Sequence, residues 1–256
     1  MKLSLPLLST FIVLSATCVG QLKTVAYTDG AQKLNGQLAL PKAPLKKKAG
    51  VLIIPAWMGI DEHSKNSAEK LAAQGYYAFV ADIYGEGNYP TDKKTAGNLS
   101  GYYKNHVDAY QKRIQSALAQ LIKSGADSNN IVVIGYCFGG SGALEAARAN
   151  FNVKGVVCFH GGLGRDTSKA MTPITAKVLV CHGANDRFVP DAQIKAFQIE
   201  MNARKADWQM IYYAEAVHAF TEVSAGNDPS SGVAYNEKAA KRSWALMLQF
   251  LTEVFS

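Results

Sequence analysis

The chain has 256 residues, with 27 Lys and Arg against 20 Asp and Glu, for a net charge of +7. Hydrophobic residues make up 48% and charged residues 18%, enough to bury a sizeable core, which excludes a disordered chain. Four cysteines in this length exclude a small disulfide scaffold, and none stands with Cys or His at zinc-site spacing.

Lys2 is followed by an uncharged stretch from Leu3 to Ala16, and the next charge is Lys23. A basic start, a short apolar run and then small residues predict a secretory signal peptide over residues 1–20, removed near Gly20. Pro6 and the hydroxyl residues Ser4, Ser9, Thr10 and Ser15 make the segment a poor membrane span, so no stable membrane insertion is expected after processing. An uncleaved anchor and a buried first strand are the competing readings.

Thr24–Thr28 and Leu34–Leu40 read as two strands around a turn at Asp29-Gly30. Lys46-Lys47-Lys48 follows Pro41 and Pro44 in a loop, and the other basic residues are scattered. The positive charge therefore reads as a solvated surface, not a nucleic-acid site. Val51–Ile54 is a continuous apolar run, suited to a strand covered on both faces. A helix is predicted over Asp61–Gln74 and ended by Gly75, then a strand over Tyr76–Ala81. Val107, Tyr110, Ile114, Leu118, Leu121 and Ile122 recur at helical spacing, and Gly125 closes that helix. Further strands are predicted at Ile131–Ile134, Gly155–Phe159, Val178–Cys181 and Trp208–Tyr212, with helices over Ser141–Asn150, Asp191–Ala203 and Tyr235–Phe255. Buried strands alternating with helices define an α/β architecture: a mostly parallel sheet with helices on both faces, in one domain over residues 21–256.

The sharpest motif is Gly135-Tyr136-Cys137-Phe138-Gly139-Gly140, between a predicted strand and a predicted helix. In α/β-hydrolases a G-x-S-x-G turn holds a nucleophile on such a bend, and here Cys137 stands in the central place. A free thiol, pKa about 8.5, is only ~3% thiolate at pH 7, so a helix N-terminus or a nearby imidazolium is needed to raise that fraction. The bland reading is a buried Cys in a glycine-rich bend. A phosphate loop is disfavoured because the motif lacks a GK[ST] ending, and Gly161-Gly162-Leu163-Gly164 opens no dinucleotide unit.

A nucleophile needs a base, and the base needs an orienting acid. The fold predicts the chain order nucleophile, acid, His, each past the carboxyl end of a strand. Asp186 lies just past the Val178–Cys181 strand, with Asp191 as the competitor at a helix start. His218 follows the last strand, with Glu215 nearby on what reads as the exposed side of its loop. His63 and His106 precede the nucleophile, while His160 and His182 stand at strand ends where a structural hydrogen bond is expected.

With these residues in place the chain resembles the dienelactone hydrolase family of α/β-hydrolases. Gly135–Gly140 resembles the family's nucleophile turn, His182-Gly-Ala-Asn-Asp186 its acid loop and Val217–Thr221 its histidine loop. Gly232–Tyr235, Arg242-Ser-Trp244, Ala72–Tyr76 and Asp82-Ile-Tyr84 extend the resemblance over nearly the whole mature chain. It implies hydrolysis of small esters or lactones by a Cys137–His218–Asp186 triad through a thioester, with no metal or organic cofactor. It also implies an oxyanion hole from the backbone N–H groups of Phe138 and of the loop after Ile54, at Trp57, whose side chain reads equally well as a rim aromatic. Two departures stand out. The family's glutamate that pairs with the resting thiol is replaced by Ala56, which shifts thiol activation to His218 and the helix terminus. The family's two substrate-gripping arginines fall at Glu86 and Glu222, so a substrate-binding pocket of reversed charge is expected, favouring neutral or cationic substrates. A loop shift bringing Arg187 or Lys93 there is the competing reading. A catalytically idle scaffold used for binding is the alternative to an enzyme.

Overall fold

The structure, a computed structural model, describes residues 22–256; the signal segment expected over residues 1–20 lies outside them. Eight strands form one sheet: β1 (Leu22–Asp29), β2 (Gln32–Ala39), β3 (Gly50–Ile54), β4 (Tyr77–Val80), β5 (Ile131–Tyr136), β6 (Gly155–Phe159), β7 (Lys177–Gly183) and β8 (Trp208–Tyr213). Their spatial order is β1-β2-β4-β3-β5-β6-β7-β8. β1 pairs with β2, and β2 with β4, in antiparallel fashion; every later pairing is parallel.

Among the described residues six α-helices flank the sheet: α1 (Glu62–Ala73), α2 (Lys93–Asn105), α3 (Val107–Lys123), α4 (Phe138–Arg148), α5 (Asp191–Ala203) and α6 (Glu237–Val254). Alternate residues of each central strand feed two separate cores, as the period of two demands. On one face Leu52, Val133, Val156 and Val178 pack against α3, α4 and α5. On the other, Val51, Val132, Val157 and Leu179 pack against α1 and α6. Each fully buried aliphatic side chain of this kind contributes roughly 1.5–3 kcal/mol.

The alternation of strands and helices thus appears as predicted, and β6 and α5 match their expected bounds. α2 was not anticipated. Its buried positions are only Ala96, Ser100 and Tyr103, so no apolar stripe announces it; Asp92, accepting from Thr95 N–H, caps it. α4 begins three residues earlier than the glycines suggested, directly after Cys137. Cys158 and Cys181, on the neighbouring strands β6 and β7, point into opposite cores, because Cys158 is opposite Val180 and Cys181 is opposite Phe159. Both are free thiols, with no bridge between them.

Candidate active site

The end of β5 turns into α4 within one residue. Cys137 is that residue, at φ 51 and ψ −113, a conformation that costs a non-glycine side chain about 1–3 kcal/mol. Glycines make the bend possible by close approach. A Cβ on Gly135 would stand 1.9 Å from Gly139 O, and one on Gly139 would stand 2.0 Å from Ile54 O. The same contact sets the N-terminus of α4 against the end of β3. Phe138 is the first residue of α4, so its N–H has no partner within the helix. Trp57 N–H forms no backbone hydrogen bond among the described residues. Its carbonyl accepts from Tyr84 O–H at 2.6 Å, which fixes the loop after β3.

The loops after β7 and β8 are stitched together. Asn185 N–H donates to Ala216 O at 2.9 Å, Ala184 N–H to Tyr213 O at 2.9 Å, and a Cβ on Gly183 would stand 2.7 Å from Ala216 O. The segment beyond His218 is held from the other side, by His218 N–H to Gly232 O and Ala234 N–H to His218 O, each 3.1 Å. These ties bring the three predicted residues together. His218 Nε2 is 3.0 Å from Cys137 Sγ, and His218 Nδ1 is 2.8 Å from Asp186 Oδ2. Asp186 is buried, and its second oxygen accepts from Phe188 N–H at 2.9 Å. Burial opposes charge on His218, but its bonds to Asp186 and Cys137 outweigh that and push the imidazole up to about 10. Asp191 begins α5 and Glu215 is exposed, so neither competitor takes the place of Asp186 beside His218.

Phe188, which the sequence did not flag, stands edge-on to the His218 ring at 5.4 Å. It also lines a cavity of about 540 Å³, together with Ser141, Gly162, Tyr110, Arg165 and Lys104, which is space for a small molecule. One wall of that cavity is pinned from below by buried Arg148, which bonds Glu200 through two nitrogens (3.0 and 2.8 Å), Glu145 at 2.8 Å and the carbonyls of Leu163 and Gly164.

The two predicted substrate-binding acids part company. Glu222 lies near His218 and Asp61 with its Oε1 buried and unpartnered; burial first, then the Asp61 charge, push its carboxyl up to about 7. Glu86 is exposed, tied to β2 only through its backbone, by its N–H to Lys33 O and its carbonyl to the Gln32 amide. Arg187 bonds Ser231 O and lies over the Phe188 ring, while Lys93 is exposed in α2. Ala56 is buried, and Asp61 is occupied as the cap of α1, accepting from Ser64 N–H at 2.9 Å. His160 makes the structural hydrogen bonds expected of it. His182 does not: its Nδ1 is buried without a partner and its ring stands edge-on to Tyr212 at 5.5 Å. Among the described residues, no three His, Cys, Asp or Glu side chains are grouped to hold a metal ion.

A mostly parallel sheet with a strained turn at Cys137, followed in chain order by loops that carry Asp186 and His218, defines an α/β-hydrolase. The model of the dienelactone hydrolase family matches residues 34–255. The chain is similar to the solved structure m3DLH, with a TM-score of 0.88 and 32% identity over 93% of this chain and 100% of that one. It is likewise similar to P91, a dienelactone hydrolase-like promiscuous phosphotriesterase from metagenomic libraries, with a TM-score of 0.85 and 34% identity over 93% and 100% of the two chains. A Salmonella typhimurium protein provisionally assigned as a carboxymethylenebutenolidase is 26% identical over 225 residues, covering 84% of this chain and 81% of its own length. The chain belongs to the dienelactone hydrolase family, and with it to the hydrolases of carboxylic esters and lactones.

Proposed function

We propose that this protein cleaves small esters or lactones by nucleophilic catalysis at Cys137. The observation that carries the reading is the unbroken line from Cys137 Sγ through both nitrogens of His218 to Asp186. Cys137 Sγ bonds to the acyl carbon while His218 Nε2 holds its proton. The C–O bond then breaks, the departing alkoxide takes that proton, and a thioester remains. Water adds to the thioester while His218 accepts its proton; collapse releases the carboxylic acid and frees the sulfur, with the proton held on His218. Asp186 keeps Nδ1 protonated throughout. The N–H groups of Phe138 and Trp57 are assigned to the oxyanion, at about 3–4 kcal/mol for each such donor.

Glu222 supports a substrate that is neutral or cationic near the scissile bond, since an anionic group would meet a carboxylate where a guanidinium would be needed to bind it. The same proposal includes export: the basic start and apolar run of residues 2–16 have the make-up of a signal segment, and the N-terminal sequence of protein collected outside the cytoplasm tests it. The mechanism is tested by acid-quenching the enzyme during turnover of an activated ester and weighing its peptides. An acyl adduct on Cys137 is expected. An adduct elsewhere, or turnover with none on this peptide in a burst-competent preparation, rejects it.

A further inference from the structure

We infer that His160 is a positioning residue for the thiol reaction, holding the strained Cys137 turn with one ring nitrogen while its ring backs the His218 imidazole. The inference rests on the Cys137–His218 reading and adds a member to it. His160 directly follows β6, is fully buried and itself adopts φ 39. Its Nδ1 lies 3.2 Å from Cys137 N, whose N–H also donates to Phe159 O at 3.0 Å. A backbone amide can only donate, so Nδ1 is the bare nitrogen and Nε2 carries the hydrogen. Nε2–H therefore donates to Thr221 Oγ1 at 2.7 Å, which leaves the Thr221 hydroxyl proton for His63 Nε2 at 3.3 Å. Every donor in this chain points the same way, from the nucleophile's amide outward to α1, an arrangement in which each bond polarises the next.

The ring is gripped on its flanks as well. It stands 5.1 Å from Phe220 at 79° and 5.6 Å from His218 at 66°. Burial, and the neighbouring His218 and His63, hold His160 well below the usual histidine range, in keeping with the neutral tautomer. Neutrality matters for the chemistry. When the thiolate leaves His218 to attack, the imidazolium left behind would be repelled by a second cation at this distance, but not by a neutral ring. A purely structural histidine would need contact with neither reacting partner; this one touches both, the sulfur-bearing residue through its amide and the base through its ring. The sequence shows only a histidine at a strand end, because Thr221 and His63 reach it from distant parts of the chain.

The test compares His160→Phe, His160→Asn and Thr221→Val with the parent, reading kcat and KM on a neutral activated ester, the rate of Cys137 alkylation by iodoacetamide, and the melting temperature. Phe keeps a ring but removes the acceptor for Cys137 N–H. Asn returns an acceptor at the place of Nδ1 and tolerates positive φ. His160→Phe is expected to lower kcat about 30- to 100-fold, the scale of a small misplacement of reacting groups, with KM within about threefold. Alkylation of Cys137 should slow in parallel, and His160→Asn should restore both to within about fivefold of the parent. Thr221→Val should give a smaller loss, about three- to tenfold in kcat. Parent-like kcat and alkylation in a folded His160→Phe variant would overturn the inference, as would an Asn variant no better than Phe. If the Phe variant does not fold, Thr221→Val decides: parent-like kcat and alkylation overturn it. Full turnover by Cys137→Ala would reject the triad instead, while the alkylation comparison still reads the contact between His160 and the Cys137 turn.

Discussion

Cys137 and His218 are 81 residues apart in the chain, yet Sγ and Nε2 lie 3.0 Å from each other, closer than any packing requirement would bring a thiol and an imidazole. The contact exists because two strained turns, at Cys137 and at Ala219 (φ 58) just past His218, aim their neighbours at the same point above the sheet. Cys137→Ala should abolish hydrolysis of an activated ester while leaving the melting temperature within a few degrees, since the bend depends on Gly135 and Gly139 and not on sulfur. Cys137→Ser should fall at least about 100-fold, because a hydroxyl requires a stronger base than a thiol does. Steady-state assays beside thermal unfolding decide it; retained activity in the Ala variant would show that another group attacks.

Thiol reactivity gives an independent reading. Cys158 and Cys181 are fully buried, and burial pushes both thiols up to about 12. They also face opposite cores, so no rotamer change joins them. Titration of the native protein lacking residues 1–20 should therefore show one fast thiol, on the Cys137 peptide, and unfolding should release the other two. A second fast thiol in the native state would mean that one of the cores opens readily.

Backbone approach at the nucleophile turn makes a sharper stability prediction. Gly139→Ala places a methyl 2.0 Å from Ile54 O, and that clash can be relieved only by parting α4 from β3. A loss of about 3 kcal/mol or more, or failure to fold, is expected. Gly101→Ala, in α2 with nothing within 4 Å of the added methyl, should instead gain roughly 0.5–1 kcal/mol. Urea unfolding of the pair against the parent measures both signs.

The parts of the molecule that the sequence displays are those whose physics is local or repeats along the chain. Val51–Ile54 and Ile131–Ile134 read as buried strands because every residue is apolar, and α3 reads as a helix because Tyr110, Ile114, Leu118 and Leu121 return at its period. The meeting of Cys137, His218 and Asp186 was legible from the glycine-flanked bend, from strand-end placement and from chain order. α2 was not, since a helix that buries only Ala96, Ser100 and Tyr103 carries no stripe, and the Asp92 cap was its one written signal. Nor did the sequence reveal the setting of Glu222, or the line from His160 through Thr221 to His63. Those depend on the loop after β8 folding against the N-terminus of α1, a meeting of segments about 160 residues apart, 158 for the Thr221–His63 bond.

Substrate charge is the prediction on which Glu222 bears most directly. Its carboxyl is raised from 4.5 to about 7 by burial and by Asp61, with His218 opposing. The folded chain thus holds an extra proton between about 4.5 and 7, and its stability falls as pH rises across that window. Glu222→Gln should leave stability unchanged near the lower bound and raise it by about 1–3 kcal/mol above the upper one. Selectivity should move in the same window. Once ionised, Glu222 repels a carboxylate-bearing ester by about 1–2 kcal/mol at the effective dielectric of a half-buried site, so a neutral ester should be preferred about 5- to 30-fold in kcat/KM. Below the window Glu222 is protonated, and the preference should shrink. Arg187 reaches the loop beyond His218, but it is exposed and already bonded to Ser231 O, so salt and solvent screen it. Measuring kcat/KM for a neutral ester and its carboxylate analogue at low salt, on either side of the Glu222 titration, tests the argument. A preference for the carboxylate, or one that Glu222→Gln does not change, would assign substrate selection to the cavity beside Arg165 and Lys104 instead.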